Sequence, residues 1–248
     1  MLKSVYSAAI TLSLLAAAPT HSATSTAMAA GNADTAIGEW RAGSTVSPKA
    51  VRDYGISRCF AQQAISNATF KRMYGKSFKA GCTIPRADLR YLRLLHYTAD
   101  GKIKLGEMVC HKDVAADLID IFRQLFDARY PIERMQLVDD FGADDTASME
   151  HNNTTCFNFR VVAGSKKLSN HSQGKAVDLN PLYNPYVKRR ANGTYKISPE
   201  TGRKYTDRSK TFTYKIDRGD LAYRLFRQHG FRWGGDYRTL KDYQHFEK

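Results

Sequence analysis

The sequence predicts an α+β fold, a small and mainly antiparallel sheet with flanking helices, and three observations carry the prediction. Leu89–Tyr97 and Lys102–Val109 are strand-like runs on either side of Asp100-Gly101, a favoured two-residue hairpin turn. Val114, Leu118, Ile121, Phe122 and Leu125 recur at helical spacing and form one apolar face. Further short strands and helices follow in mixed order rather than in regular strand-helix alternation.

In chain order, residues 1–29 read as a secretory signal. Lys3 precedes an apolar run from Val5 to Ala18, too short to span a bilayer as a stable helix, and Ala27-Met28-Ala29 offers a cleavage site. An uncleaved anchor is the competing reading, opposed by Pro19, Thr20 and His21, which interrupt the run. Residues 30–87 form an amino-terminal segment. Within it, 30–50 are small and polar and predict a flexible leader, Cys59, Phe60, Ala64 and Ile65 suit a short helix, and Phe70 and Met73 begin a second.

Residues 88–248 hold the remaining elements. After the hairpin, Asp113 is placed to cap the apolar-faced helix, and Pro131 follows its last turn. Met135–Val138, Phe157–Val162 and Ala176–Leu179 read as short strands. A second helix starts after Asp220, buries Leu221, Leu225 and Phe226, and stops at Gly230.

The 248 residues carry a formal charge of +14, with 42% hydrophobic and 25% charged residues, so the folded surface attracts polyanions. Removing residues 1–29 takes away only Lys3 among the charged side chains. For an exported, processed chain with no remaining membrane span, an anionic cell-wall polymer is the expected partner and nucleic acid is not. The charge concentrates between Lys188 and Arg218, where ten Lys or Arg face Glu200, Asp207 and Asp217. A periplasmic or secreted location also fits the four cysteines, Cys59, Cys82, Cys110 and Cys156, as two disulfides. Cys59 with Cys82 and Cys110 with Cys156 is one of three pairings. No C-x-x-C pair supports a four-cysteine zinc site.

Two motifs carry chemistry. In SNHSQGKAVD, residues 169–178, His171 and Asp178 supply an imidazole and a carboxylate around Gly174. In the later DYQHFE, His245 follows Asp242 by three residues. Three ligands from His, Asp, Glu or Cys with an open fourth position make a catalytic zinc site, and His171, Asp178 and His245 are the candidate set. Asp242 is the candidate general acid/base, and Arg160, in the run FNFR, is the candidate cation for an oxyanion. Asp236 is a candidate for orienting a ligand histidine, and Glu247 is a reserve base. His96, His111, His151 and His229 have no carboxylate in a comparable pattern and read as structural or surface groups. Any one of these assignments alone competes with an ordinary hydrogen bond or ion pair.

Taken together, SNHSQGKAVDLNP and WGGDYRTLKDYQHFE resemble the D-alanyl-D-alanine carboxypeptidase family of zinc peptidases, the VanY-like group that also holds L-alanyl-D-glutamate endopeptidases. Further similarity in DLRYL, GEMVC, YPI, NNTTCFNFR and NPLYNPYV extends the resemblance over residues 88–248. It implies a zinc peptidase domain there, with a Hedgehog/DD-peptidase-like α+β fold. It further implies Zn2+ on His171, Asp178 and His245, Asp242 as acid/base, Arg160 on the substrate or developing oxyanion, and Ser169 as a positioning residue. The implied activity is hydrolysis of an amide bond in peptidoglycan stem peptides. A carboxypeptidase needs a cation for a free terminal carboxylate, which the Lys188–Arg218 segment can supply, whereas an endopeptidase needs a groove open on both sides. The alternative from another class is a non-catalytic zinc-containing wall-binding domain, whose mark would be loss of the base; Asp242 is present.

Overall fold

The computed structural model describes residues 37–162 and 166–248, so the expected signal segment 1–29 lies outside the described residues. The fold is α+β. Its first layer is a four-stranded antiparallel sheet in the order β1-β4-β3-β2, formed by β1 (Thr45–Val46), β2 (Ala61–Ala64), β3 (Leu89–Tyr97) and β4 (Ile103–His111). The β3–β4 hairpin turns at Gly101, whose φ of 77° is the left-handed conformation the turn requires. Both of its faces are buried, one through Leu92, Leu94 and Met108 and the other through Leu95 and Leu105.

Three helices belong to this half: α1 (Pro48–Tyr54), α2 (Asn67–Met73) and α3 (Lys112–Asp127). α3 lays Val114, Leu118, Ile121, Phe122 and Leu125 onto the sheet, the face that the spacing predicted. Its cap is not Asp113. His111 Nδ1 accepts from the Asp113 backbone N–H, because the strand runs into the helix without a loop and leaves Asp113 inside the first turn.

The amino-terminal part departs from expectation. Between 37 and 50 the chain packs rather than trails as a leader: Ile37, Trp40, Val46 and Ala50 are buried, and Trp40 Nε1 donates to Gly106 O at 2.9 Å. In place of the short helix expected at Cys59, Phe60, Ala64 and Ile65 there is a single turn at Ile56–Cys59, followed by β2, which pairs with β3 from Ala61↔Arg93 to Ala64↔Arg90. A short apolar run does not fix its own state, and the open edge of β3 offers hydrogen bonds that an isolated turn lacks. The first sheet therefore crosses residue 88.

The expected disulfides are absent: all four cysteines are free thiols, and Cys59, Cys110 and Cys156 are buried. Cys59 donates to Gly55 O, Cys82 to Ile84 O and Cys156 to Gly174 O. Burial pushes the Cys110 and Cys156 thiols up, so both are held as inert core groups.

Two smaller antiparallel sheets complete the molecule. One is β5-β10-β8, from β5 (Ala176–Asp178), β8 (Arg232–Trp233) and β10 (His245–Glu247). The other is β7-β6-β9, from β6 (Tyr186–Arg189), β7 (Tyr195–Ser198) and β9 (Lys241–Asp242). Of the expected short strands, only Ala176–Leu179 becomes one; Met135–Val138 and Phe157–Val162 run as connecting chain held by single backbone bonds, such as Phe157 N to Val109 O at 3.0 Å. Two more helices, α4 (Asp145–Glu150) and α5 (Leu221–Gln228), flank these sheets. α5 is capped by Asp220 as expected, and its Phe226 stacks on Phe246 of β10 with ring centroids 4.2 Å apart. Among the described residues no helix is long and apolar enough to cross a membrane.

Candidate active site

The first motif folds as a short turn. Ser169 Oγ accepts from the His171 N–H and starts it, and Gly174 ends it at φ 65°. A side chain at Gly174 would put a Cβ 2.7 Å from His111 N, while His111 N donates to Gly174 O at 2.8 Å. Only glycine allows this loop to lie flat against the end of β4. The chain then enters β5, where Asp178 stands directly opposite His245 of β10. Residues opposed in an antiparallel pair project from the same face, so register alone brings two ligand candidates from 67 residues apart into contact.

His171, Asp178 and His245 converge. His171 Nε2 lies 3.2 Å from His245 Nδ1 and 3.3 Å from Asp178 Oδ2, and His245 Nδ1 lies 3.0 Å from Asp178 Oδ1. A zinc ion bound at its usual 2.0–2.1 Å by nitrogen and oxygen has ligand atoms about 3.3 Å apart on a tetrahedron, so these spacings fit such an ion.

The surroundings fix which nitrogens are free to bind it. Cys156 O can only accept, so the contact of 2.7 Å makes His171 Nδ1 the N–H and leaves Nε2 with its lone pair. Glu247 Oε2 lies 3.3 Å from His245 Nε2 and leaves Nδ1 free in the same way. Glu247 is itself held by Asn170 and by Arg232 at 2.7 Å. The hydrogen bond with His245 is the main cause of its lowered carboxyl, which stays ionised.

The electrostatics ask for a cation. Burial opposes charge on Asp178, yet His171 and His245 outweigh it and hold the carboxyl far below its ordinary range. Burial likewise opposes a proton on His245, but Asp178 and Glu247 push the imidazole up to about 10. A cage that draws positive charge this strongly, built from two imidazoles and a carboxylate, suits a divalent metal.

Asp242 closes the site from the neighbouring sheet. β9 passes into β10 through Tyr243 and Gln244 alone, so the chain steps from one sheet to the other within two residues. Gly234 makes room: a Cβ there would lie 2.5 Å from Asp242 O and 2.7 Å from Asp242 Cβ. Asp242 Oδ1 is shielded from solvent and has no hydrogen-bond partner. Desolvation raises its carboxyl to about 6, with Asp178 adding to the rise and His245 opposing it.

The remaining candidates divide. Arg160 and Ser169 line the same cleft, which encloses about 350 Å³. Arg160 is bound there to Asp145 of α4, and Ser172 bridges its backbone, accepting from Arg160 N at 2.9 Å and donating to Arg160 O at 2.6 Å. Asp236 is not brought in: the turn after Gly235 aims it at Arg218, 2.9 Å away, and it is not among the residues that line the cleft. Among the other histidines, His96 is a buried core group on Ile132 O, and His229 pairs with Asp117 and Asp120.

Four contributors escaped the sequence reading as site residues. The Cys156 carbonyl has no side-chain signature. Tyr237, hydrogen-bonded to Glu247, sits inside the quoted WGGDY and Tyr186 inside NPLYNPYV, while Lys196 reaches the cleft through the β6–β7 hairpin.

Residues 163–248 match a family described as D-alanyl-D-alanine carboxypeptidase, the peptidase family that the two motifs resemble. The matched stretch holds His171, Asp178, Asp242, His245 and Glu247, and Arg160 lies just before it. No curated protein and no solved structure matches the chain.

Proposed function

We propose that the chain is an exported zinc peptidase that hydrolyses an amide bond in peptidoglycan stem peptides. The observation that carries this reading is the three-ligand set of His171, Asp178 and His245 beside the unpartnered Oδ1 of Asp242 in one cleft. A structural metal site needs no such oxygen, and a buried, unsatisfied carboxylate costs stability unless it is used.

His171 Nε2, His245 Nδ1 and an Asp178 oxygen would hold the ion. Zinc there supplies a Lewis acid, which polarises the attacked carbonyl and makes water acidic near neutral pH. The chain's own groups do the rest. Asp242 Oδ1 takes the proton of the attacking water and delivers it to the nitrogen of the departing amine, a task suited to a carboxyl raised to about 6. Glu247 and the Cys156 carbonyl hold the two imidazoles in their ligating tautomers. Arg160 faces the cleft, where turning from Asp145 to substrate would stabilise negative charge on the attacked carbonyl oxygen. Export rests on the character of residues 1–29, and the excess of basic residues suits an anionic wall.

Mass spectrometry of defined muropeptides after incubation with the chain lacking residues 1–29, with and without zinc, tests the reading. Zinc-dependent loss of terminal D-Ala identifies a carboxypeptidase, and release of an internal fragment identifies an endopeptidase. Peptides untouched under both conditions would overturn it.

A further inference from the structure

The sheet that carries Asp242 also carries an unexplained pair of charges. In β7-β6-β9, Ser198, Tyr186 and Asp242 lie in one row across the sheet, since Tyr186 is opposed by Ser198 on one side and Asp242 on the other. All three line the cleft, as does Lys196. One step further along the same face, Lys188 stands directly opposite Lys196.

Like charges opposed in a sheet repel, so this placement destabilises the hairpin unless an anion lies between them. No salt bridge to either lysine exists among the described residues, although the neighbouring basic residues Arg203, Lys210, Lys215 and Arg218 all find carboxylates. The other cation noted above in the cleft, Arg160, is already matched by Asp145. The floor of the cleft is acidic, with Asp178, Asp242 and Glu247. A peptide carboxylate is attracted at the lysine row, where positive charge is left unmatched.

The spacing defines which carboxylate. Two residues along a strand place the lysine row about 7 Å from the Asp242 row. In a peptide, one residue separates the last amide carbonyl from the terminal carboxylate, a span of about 3.8 Å between successive residues. The flexible stem of a lysine covers the remainder.

We propose that Lys188 and Lys196 form an anion subsite that takes the free terminal α-carboxylate of the substrate peptide. The inference rests on the peptidase reading and deepens it to a carboxypeptidase, because the pair selects a chain end. An amidated or extended peptide has no charge to offer there.

The test pairs two readouts on zinc-loaded protein lacking residues 1–29. Calorimetry compares binding of N-acetyl-D-alanine with binding of its carboxamide, and a hydrolysis assay compares an N-acylated D-Ala-D-Ala free acid with its amide. Expected is a preference for the free acid in both, at least about tenfold, the scale of one charge-assisted hydrogen bond. Lys188→Met and Lys196→Met should each erode the preference through KM rather than kcat and melt no lower than the parent, since each relieves the repulsion; Lys196→Arg should keep the preference. Equal use of acid and amide by the parent, or a preference that survives both methionine variants, overturns the subsite. If neither these peptides nor any muropeptide is cleaved but the acid is still bound through the lysines, the subsite stands and the peptidase reading falls.

Discussion

Glu107 and Asp242 are both carboxylates withdrawn from solvent, and the protein treats them in opposite ways. Glu107, 1% exposed, receives both Nη atoms of Arg72, at 2.8 and 2.5 Å, and the hydroxyl of Tyr91 at 2.8 Å. Both of its oxygens are answered, and it ties α2 to the first sheet. Asp242 has an oxygen with no partner, an acidic neighbour in Asp178 and a carboxyl raised to about 6. One arrangement spends a charge on holding elements together. The other leaves one carboxylate oxygen unmet, at the atom where the proposed reaction would move a proton.

The contrast can be broken from either side. Asp242→Asn should cost the most activity, a drop in kcat of ~10²–10⁴ with unchanged zinc content and a melting temperature equal to or above the parent's. Steady-state kinetics with metal analysis and calorimetry read this, and wild-type turnover in the variant would remove Asp242 from the chemistry. Glu107→Gln should invert the pattern: stability falls by about 1–3 kcal/mol as Arg72 loses one of its two carboxylate partners and keeps Asp140, while turnover per folded molecule holds. Denaturant unfolding measures the first and active-site-normalised rates the second.

Gly234→Ala falls between the two, since its methyl collides with Asp242 itself. A displaced base should lower kcat by ~100-fold, and the strained packing should cost about 1–3 kcal/mol. A variant that lost stability alone would show that the base tolerates movement. The smallest effect is on pH. A proton acceptor must be ionised, and burial has raised the Asp242 carboxyl to about 6, so kcat should rise with pH up to that point and level above it. A profile flat from pH 4 to 8 would contradict the assignment.

Much of this site was legible because its side chains sit in compact motifs. The His171 and Asp178 pair and the Asp242 and His245 pair each declare themselves within a few residues, and α3 and α5 announce their apolar faces and, for α5, its cap. What escaped depends on partners far along the chain. Ala61–Ala64 is a strand only because the edge of β3 is open to it, and the Tyr186–Ser198 hairpin looks like a basic loop until β9 joins it. An even cysteine count suggested bridges, but a count holds no geometry, and the four thiols each settle on a backbone carbonyl or in the core. Asp236 turns to Arg218 for a similar reason: proximity in sequence to the second motif says nothing about which way a glycine turn aims the next side chain.

The contact between Gly174 and the end of β4 reaches beyond local packing. The stretch 163–248 contains every ligand candidate, yet the loop bearing His171 rests on His111, and the imidazole takes its orientation from Cys156. A transplant of that stretch into another scaffold would carry the ligands without the mould that shapes them. For anyone grafting or shortening this protein, the working unit is the ligand loop together with the end of the β3–β4 hairpin, which is inherited or lost with it.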